Sequence, residues 1–316
     1  FSVIERISSL LELIHSDVCD FHSTPTRGGK KYFATFIDDY SKFCYVYLLH
    51  SKDEIFEKFK IYKAEVENQC GTKIKRLRSD RGGEYYFPDY FETMGIIHEI
   101  TAPYTLQQNG VAERKNRTLT EMVNAMLSNA GLGTGLWGEA ILTATYILNR
   151  IPLKKSNITP YEFWSKKKPN LSYFKTWGCR AIVRLPEPKR KKLGEKGIEC
   201  IFLGYALHSK AYRFLVAEPN DVVSINTIIE SRDAVFYENT FDRIPRLKSS
   251  KDLESNKDLD PLPLMSGEDN EPLQVSNEAN EPVEHVELRR SKRARKEKTF
   301  GPDFIVYLVE GTRKTT

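Results

Sequence analysis

Within its first seventy positions the chain changes its hydrophobic period from two residues to between three and four, which neither an all-helical nor an all-β fold accommodates. Tyr32-Phe33-Ala34-Thr35-Phe36-Ile37 and Phe43-Cys44-Tyr45-Val46-Tyr47-Leu48-Leu49 are β-prone runs. The polar stretch Asp38-Asp39-Tyr40-Ser41-Lys42 between them predicts a turn, and hence an antiparallel hairpin. After Ser51, whose hydroxyl can cap a helix start with Glu54 three residues on, Ile55, Phe56, Phe59, Tyr62 and Val66 recur at helical spacing. The spacing predicts an amphipathic helix over 52–69. Gly71 ends it, and Ile74 to Arg78 reads as a short strand delivering Ser79-Asp80 to the turn Arg81-Gly82-Gly83.

Upstream, Leu10 to Ile14 leads into His15-Ser16-Asp17-Val18-Cys19, a strand-like stretch that puts Asp17 on or at the end of a strand. Downstream, a shorter helix and a strand share residues 85–100, and a loop runs from Thr101 to Gly110. A long helix follows with the apolar stripe Leu119, Met122, Val123, Met126, Leu127 and Ala130. Projected back at 100° per residue, Glu113 falls roughly 110° from the stripe's centre, with Asn116, Arg117 and Thr120 on the same side. A further helical pattern covers Leu136 to Asn149 and is closed by Pro152. This order of elements implies a mixed α/β domain. From Trp177 to Tyr237 short β-prone runs alternate with turn residues, as in a small β barrel, with Lys189, Arg190, Lys191 and Lys192 on a loop within it. Beyond Lys248, few aromatics and many Glu, Asp, Ser, Asn and Pro predict disorder.

Charge separates along the same divisions. Lys248 to Glu287 holds 3 basic and 11 acidic residues, Leu288 to Lys298 holds 7 basic and 1 acidic, and residues 1–247 are left with a net charge of +7. A mildly basic folded part suits a polyanionic partner without requiring one. Cys19, Cys44, Cys70, Cys179 and Cys200 contain no C-x-x-C pair, so neither a zinc knuckle nor a disulfide framework is visible, and a reducing compartment fits best. No apolar run approaches the roughly 20 residues of a membrane span.

Asp17, Asp80 and Glu113 are therefore acids delivered by three separate elements. Exchanging one phosphate ester for another requires stabilising charge on both the attacking and the leaving oxygen, which two metal ions about 3.5–4 Å apart can do. Magnesium takes hard oxygen ligands and keeps several waters, so a few carboxylates on rigid elements suffice. Taken singly, each residue has an ordinary explanation: a strand-end charge at Asp17, a turn residue at Asp80, an exposed helix-face acid at Glu113.

Three longer strings change that balance: His15-Ser16-Asp17-Val18-Cys19, Leu77-Arg78-Ser79-Asp80-Arg81-Gly82-Gly83-Glu84-Tyr85, and Gln107-Gln108-Asn109-Gly110-Val111-Ala112-Glu113-Arg114-Lys115-Asn116-Arg117-Thr118. Together they resemble the catalytic core of copia-type retrotransposon integrases. The resemblance extends over Tyr32 to Leu49, the Trp177-Gly178-Cys179 and Phe202-Leu203-Gly204-Tyr205 region, and Arg289 to Phe304. It implies an RNase H-like mixed-sheet core over 1–165, a small SH3-like β domain over 166–245, and a disordered acidic-then-basic linker over 246–316. It further implies that Asp17, Asp80 and Glu113 match the family's metal triad and hold two Mg²⁺ (or Mn²⁺) ions. The activity implied is trimming of the element's DNA ends and joining of the 3′ hydroxyls to target double-stranded DNA, by a homo-oligomer that acts in the nucleus after a cytoplasmic particle stage.

The local chemistry is compatible. Gly110 lets a loop bend close to DNA, and Asn109, Asn116 and Arg117 can donate to phosphate oxygens, although plain surface polarity explains each equally well. Arg114 and Lys115 are further backbone contacts, and Lys189 to Lys192 would add salt-sensitive affinity. Arg289, Arg290, Lys292, Arg293, Arg295 and Lys296 read as a nuclear localisation signal or a DNA-touching tail. His15, Cys19 and His22 lack a fourth partner for zinc, and Asp38 and Asp39 read as turn residues rather than rival ligands.

Two features depart from the family pattern. The zinc-binding His/His/Cys/Cys segment that precedes this core does not occur in the sequence, so the chain is expected to start after it. The interval between Asp80 and Glu113 is 32 residues, a few shorter than customary, and Leu106 stands where proline is usual. The alternative to an active integrase is thus a catalytically decayed, DNA-binding remnant.

Overall fold

The computed structural model describes residues 7–80, 82–101, 110–153, 156–184, 197–218 and 223–239. Asn109, Lys189, Arg190, Lys191 and Lys192, the basic run Arg289 to Lys296 and the whole stretch 246–316 lie outside the described residues. Both sheets described below belong to one compact unit.

The first sheet has the order β3-β2-β1-β4-β5. Its strands are β1 (Ile14–Asp20), β2 (Tyr32–Asp38), β3 (Cys44–Leu49), β4 (Arg76–Ser79) and β5 (Ile97–Ile100). The first three form an antiparallel meander, and β4 and β5 then add in parallel beside β1. Parallel neighbours need crossovers. Helix α1 (Ile55–Cys70) makes one and α2 (Pro88–Met94) the other. This is the RNase H-like mixed sheet.

Strand β2 is buried along almost its whole length because helices cover both faces of the sheet. Ala34 and Phe36 pack with Ile55, Phe59, Tyr62 and Val66 of α1, while Phe33 and Ile37 pack with the other helical layer, α3 (Gly110–Ala130) and α4 (Trp137–Leu148). The helix start departs from expectation: Ser51 makes no side-chain cap, and Glu54 instead accepts from the His50 backbone N–H. A 3₁₀ turn over Lys52–Glu54 feeds α1 there. The complete capping box lies elsewhere, on α5 (Pro160–Ser165), where Thr159 and Glu162 exchange side-chain and backbone bonds ahead of a proline at the first turn.

The second sheet, of order β10-β6-β7-β8-β9, is the SH3-like domain. Its strands are β6 (Arg180–Arg184), β7 (Gly197–Tyr205), β8 (Tyr212–Val216), β9 (Ile228–Ser231) and β10 (Ala234–Tyr237), all antiparallel. Cys200, Phe202, Phe214 and Val216 form its own core, whereas Ile201, Leu203 and Leu215 turn the other way and join Ala140, Ile141 and Ala144 of α4. The alternation of these strands thus gives one face to the domain and one to the helix. Thr143 donates to the Leu203 carbonyl at 2.8 Å across that contact, and the Trp177 indole donates to the same oxygen at 2.7 Å.

Candidate active site

The parallel pairing of β1 with β4 sets the geometry. Ile14 stands opposite Leu77 and His15 opposite Arg78. Asp17 lies two residues beyond His15 on β1, and Asp80 follows Ser79, the last residue of β4. On the other side of β1, Asp17 faces Thr35 of β2. Thr35 and Asp17 thus stand side by side on β2 and β1, beneath α3, and the charge of Asp80 acts on Asp17 from the end of β4.

Helix α3 lies over that row because Ala112, Asn116, Leu119, Val123, Leu127 and Ala130 form its buried stripe. The sequence reading placed Asn116 beside Glu113 at the flank of the stripe; the structure places it within the stripe. Its position four residues after Ala112 and three before Leu119 puts it in the stripe, and it is 4% exposed. Its Nδ2 donates to Asp17 Oδ2 at 2.9 Å, and its Oδ1 accepts from Thr35 Oγ1 at 3.0 Å. Gly110, read as a bend close to DNA, is the buried first residue of α3. Arg114 and Arg117 are exposed on the same helix, and Lys115 is half-buried.

Burial pushes the Asp17 carboxyl up to about 6, and the nearby charges of Asp80 and, less strongly, Glu113 add to the shift against the Asn116 and Val18 hydrogen bonds. Glu113, one turn before Asn116 on α3, therefore acts on the same carboxylate. The expected tight triad is nonetheless not closed. Among the described residues no group of three His, Cys, Asp or Glu side chains is arranged to hold an ion. The physical reason is visible in the partners: Asp17 Oδ2 is taken by Asn116, its Oδ1 by the Val18 N–H, and Asp80 Oδ1 by the Gly82 N–H at 3.2 Å. The donor set still suits a hard divalent cation, which is commonly bound through one or two carboxylates plus water and phosphate oxygens.

The opposite face of the same strands is tied down by groups the sequence reading did not single out. Ser16 Oγ and the buried Tyr85 hydroxyl share a hydrogen bond of 2.6 Å, and Ser79 Oγ shares one of 2.9 Å with His98 Nε2. Tyr85 lies five residues after Asp80, so its anchor fixes the chain that leaves the site. Asp38 and Asp39 take the structural parts expected of them. Asp38 accepts from Ser41 and from the Leu11 N–H, and Asp39 pairs with His15 at 2.9 Å and Lys42 at 2.6 Å. His22 bonds Asp20.

Two family models match the chain: an integrase core domain over residues 10–105 and a retroviral polymerase SH3-like domain over residues 179–250. The Retrovirus-related Pol polyprotein from transposon TNT 1-94 of Nicotiana tabacum is 45% identical over 238 residues, covering 74% of this chain and 18% of that protein. The Retrovirus-related Pol polyprotein from transposon RE2 of Arabidopsis thaliana is 34% identical over 209 residues, covering 65% and 14%. The chain thus spans less than a fifth of these relatives. A solved structure of the HTLV-2 integrase catalytic core domain in complex with magnesium aligns at 17% identity and a TM-score of 0.38, over 48% of this chain and 95% of that one.

Proposed function

Since the chain belongs to the integrase-core family found in copia-type retrotransposon Pol polyproteins, we propose that it is the part of such a polyprotein that cuts and joins DNA. The reaction is trimming of the element's DNA ends and transfer of their 3′ hydroxyls into a target duplex, by residues 1–165 with 166–245 as the SH3-like companion. The observation that supports the reading is that Asp17, on the strand paired with β4, is hydrogen-bonded to Asn116 of α3 and feels the charges of Asp80 and Glu113.

Asp17, Asp80 and Glu113 would hold Mg²⁺ or Mn²⁺. Bound there, the cations would neutralise charge on the attacking and leaving oxygens of the phosphodiester. The chain's own residues do the positioning: β1 carries Asp17, the adjacent β4 ends one residue before Asp80, and Tyr85 anchors the chain that follows. The exposed Arg114 and Arg117 contact the DNA backbone beside them, with Lys115 between. Double-stranded DNA is the partner, a homo-oligomer the working form and the nucleus the place of action. No helix among the described residues is long and apolar enough to cross a membrane.

A second reading, a DNA-binding remnant without catalysis, is favoured by one observation: no described set of three acids is arranged to hold an ion. Incubating the chain with a short duplex end and a plasmid separates the two. Active integrase predicts joined product with Mg²⁺ or Mn²⁺, none with chelator and none from Asp80→Asn. Joining that survives Asp80→Asn refutes the assignment of the site, and salt-sensitive DNA binding without any joining or disintegration selects the remnant.

A further inference from the structure

We propose that Thr35 and Asn116 form a positioning pair that fixes the orientation of the Asp17 carboxylate for cation binding; this rests on the reading of Asp17 as a metal-holding residue. Neither residue touches the reacting atoms. Thr35 acts on Asn116, and Asn116 acts on Asp17.

The amide of Asn116 is buried and has both ends committed. A threonine hydroxyl that points its hydrogen at the amide oxygen leaves the amide nitrogen facing Asp17, and the reverse orientation would set the oxygen against a carboxylate. The carboxylate, which can only accept, selects the amide nitrogen, and the Thr35 hydroxyl, donating to the amide oxygen, holds Asn116 in that orientation. Thr35 itself is fully buried and stands opposite Asp17 in the β1–β2 register, so its hydroxyl cannot drift away.

Packing alone does not account for the pair. Position 116 falls between Ala112 and Leu119 on the buried stripe of α3, and position 35 between Phe33 and Ile37 on the inward face of β2. Apolar side chains at both positions would continue those faces without desolvating an amide and a hydroxyl. An asparagine is also a poorer helix former than alanine or leucine. The two polar groups form a chain that ends on one carboxylate oxygen: Thr35 Oγ1 donates to Asn116 Oδ1, and Asn116 Nδ2 donates to Asp17 Oδ2.

The test is Mn²⁺ binding to the protein without DNA, followed by the spin-resonance signal of free Mn²⁺, on variants that retain a cooperative melt in chelator. Thr35→Val keeps the side-chain shape and removes the donor, Asn116→Ala removes the relay, and Thr35→Ser restores the hydroxyl. We expect the dissociation constant to rise about tenfold or more in Thr35→Val and Asn116→Ala, as for other residues that orient metal-binding side chains, and to stay near the parent value in Thr35→Ser. If Asn116→Ala fails to fold, Thr35→Val decides alone. Parent-like binding in Thr35→Val overturns the positioning role while leaving the site intact, provided that Asp17→Asn and Asp80→Asn lose binding. Binding that Asp17→Asn does not diminish removes the site reading and the proposal together. A change confined to the salt dependence of DNA binding would return Asn116 to the role of a phosphate contact and overturn the proposal.

Discussion

The guanidinium of Arg213 on β8 meets the carboxylate of Glu139 on α4 in a two-point contact, Nε to Oε2 at 2.8 Å and Nη2 to Oε1 at 2.6 Å. Its remaining nitrogen donates to Glu230 Oε1 at 3.0 Å. Arg213 and Glu139 are 6% and 8% exposed, so the pair is a desolvated fastening between the helical layer and the SH3-like sheet. Arg213→Ala leaves two carboxylates without their partner and is expected to cost about 3–5 kcal/mol, read from urea unfolding. Arg213→Lys keeps the charge but not the fork, and its midpoint should fall between the two. An unchanged midpoint in Arg213→Ala would show that the two layers do not depend on this contact.

At Gly204, the partner of Arg213 in the β7–β8 register, the same two layers approach too closely for a side chain. Gly204 has φ +151°, and a Cβ built there would lie 2.1 Å from Thr143 Oγ1. Gly204→Ala must therefore push β7 from α4 or rotate Thr143 off the Leu203 carbonyl that it bonds. Overpacking of this kind costs about 1–3 kcal/mol. Adding Thr143→Ala should recover part of the loss, since the steric partner is gone while the backbone strain stays. Simple additivity of the two single changes would exclude the clash as the cause.

In chelator, the contribution of Asp17 to stability should fall as pH rises through the interval between the ordinary 3.8 of an aspartate and the value of about 6 that it reaches in the folded protein. The sign follows from proton counting. Over that interval the folded state keeps a proton that the unfolded chain has released, so raising the pH favours unfolding; below it both states are protonated, and above it the cost is constant. Asp39 works in the opposite direction, since His15 and Lys42 outweigh its burial and hold its carboxyl below the ordinary range. The comparison that isolates Asp17 is thus the parent against Asp17→Asn at pH 4.5 and pH 7. The variant should gain relative stability at the higher pH, and Mn²⁺ should stabilise the parent more than the variant. Parallel pH curves for the two proteins would show that the Asp17 carboxyl is not raised in the folded state.

Much of this arrangement was legible from residue order, and the misses share a cause. The hairpin, α1 and the strand before Asp80 each carry a local pattern, period two or period three to four, that later packing did not override. The polar residues facing the core carried no such pattern. Asn116 looked like a surface donor because amides are common on surfaces, yet its spacing from Ala112 and Leu119 was that of the buried stripe, and that spacing was the available signal. Thr35 sat inside a β-prone run where a threonine needs no explanation, so its pairing with a residue 81 positions later was invisible. Ser51 and Glu54 had the right spacing for a capping box but the chain enters α1 through a 3₁₀ turn, whereas Thr159-Pro160-Tyr161-Glu162 had the same signal and formed it. The β1–β4 register, on which the site depends, joins segments separated by α1 and has no local signature at all.

On the proposed function, the burial of Asn116 divides the first half of α3 into residues that serve the carboxylates and residues that can reach a duplex. Arg114 and Arg117 are exposed, while Asn116 between them faces Asp17. Each phosphate neutralised releases condensed counterions, so losing one cationic contact should reduce the slope of log affinity against log salt by about 0.9 for duplex DNA. Arg117→Ala and Arg114→Ala should each do so and weaken binding alike on unrelated sequences, because phosphate contacts carry no base information. Mn²⁺ binding by the free protein should be unaffected in both. Asn116→Ala should behave in reverse, with a parent-like salt slope and impaired Mn²⁺ binding. Fluorescence anisotropy of a labelled duplex across a salt series reads the first quantity. If the arginine variants keep the parent slope, the DNA path does not run along the exposed side of α3, and its basic contacts must be sought on other elements.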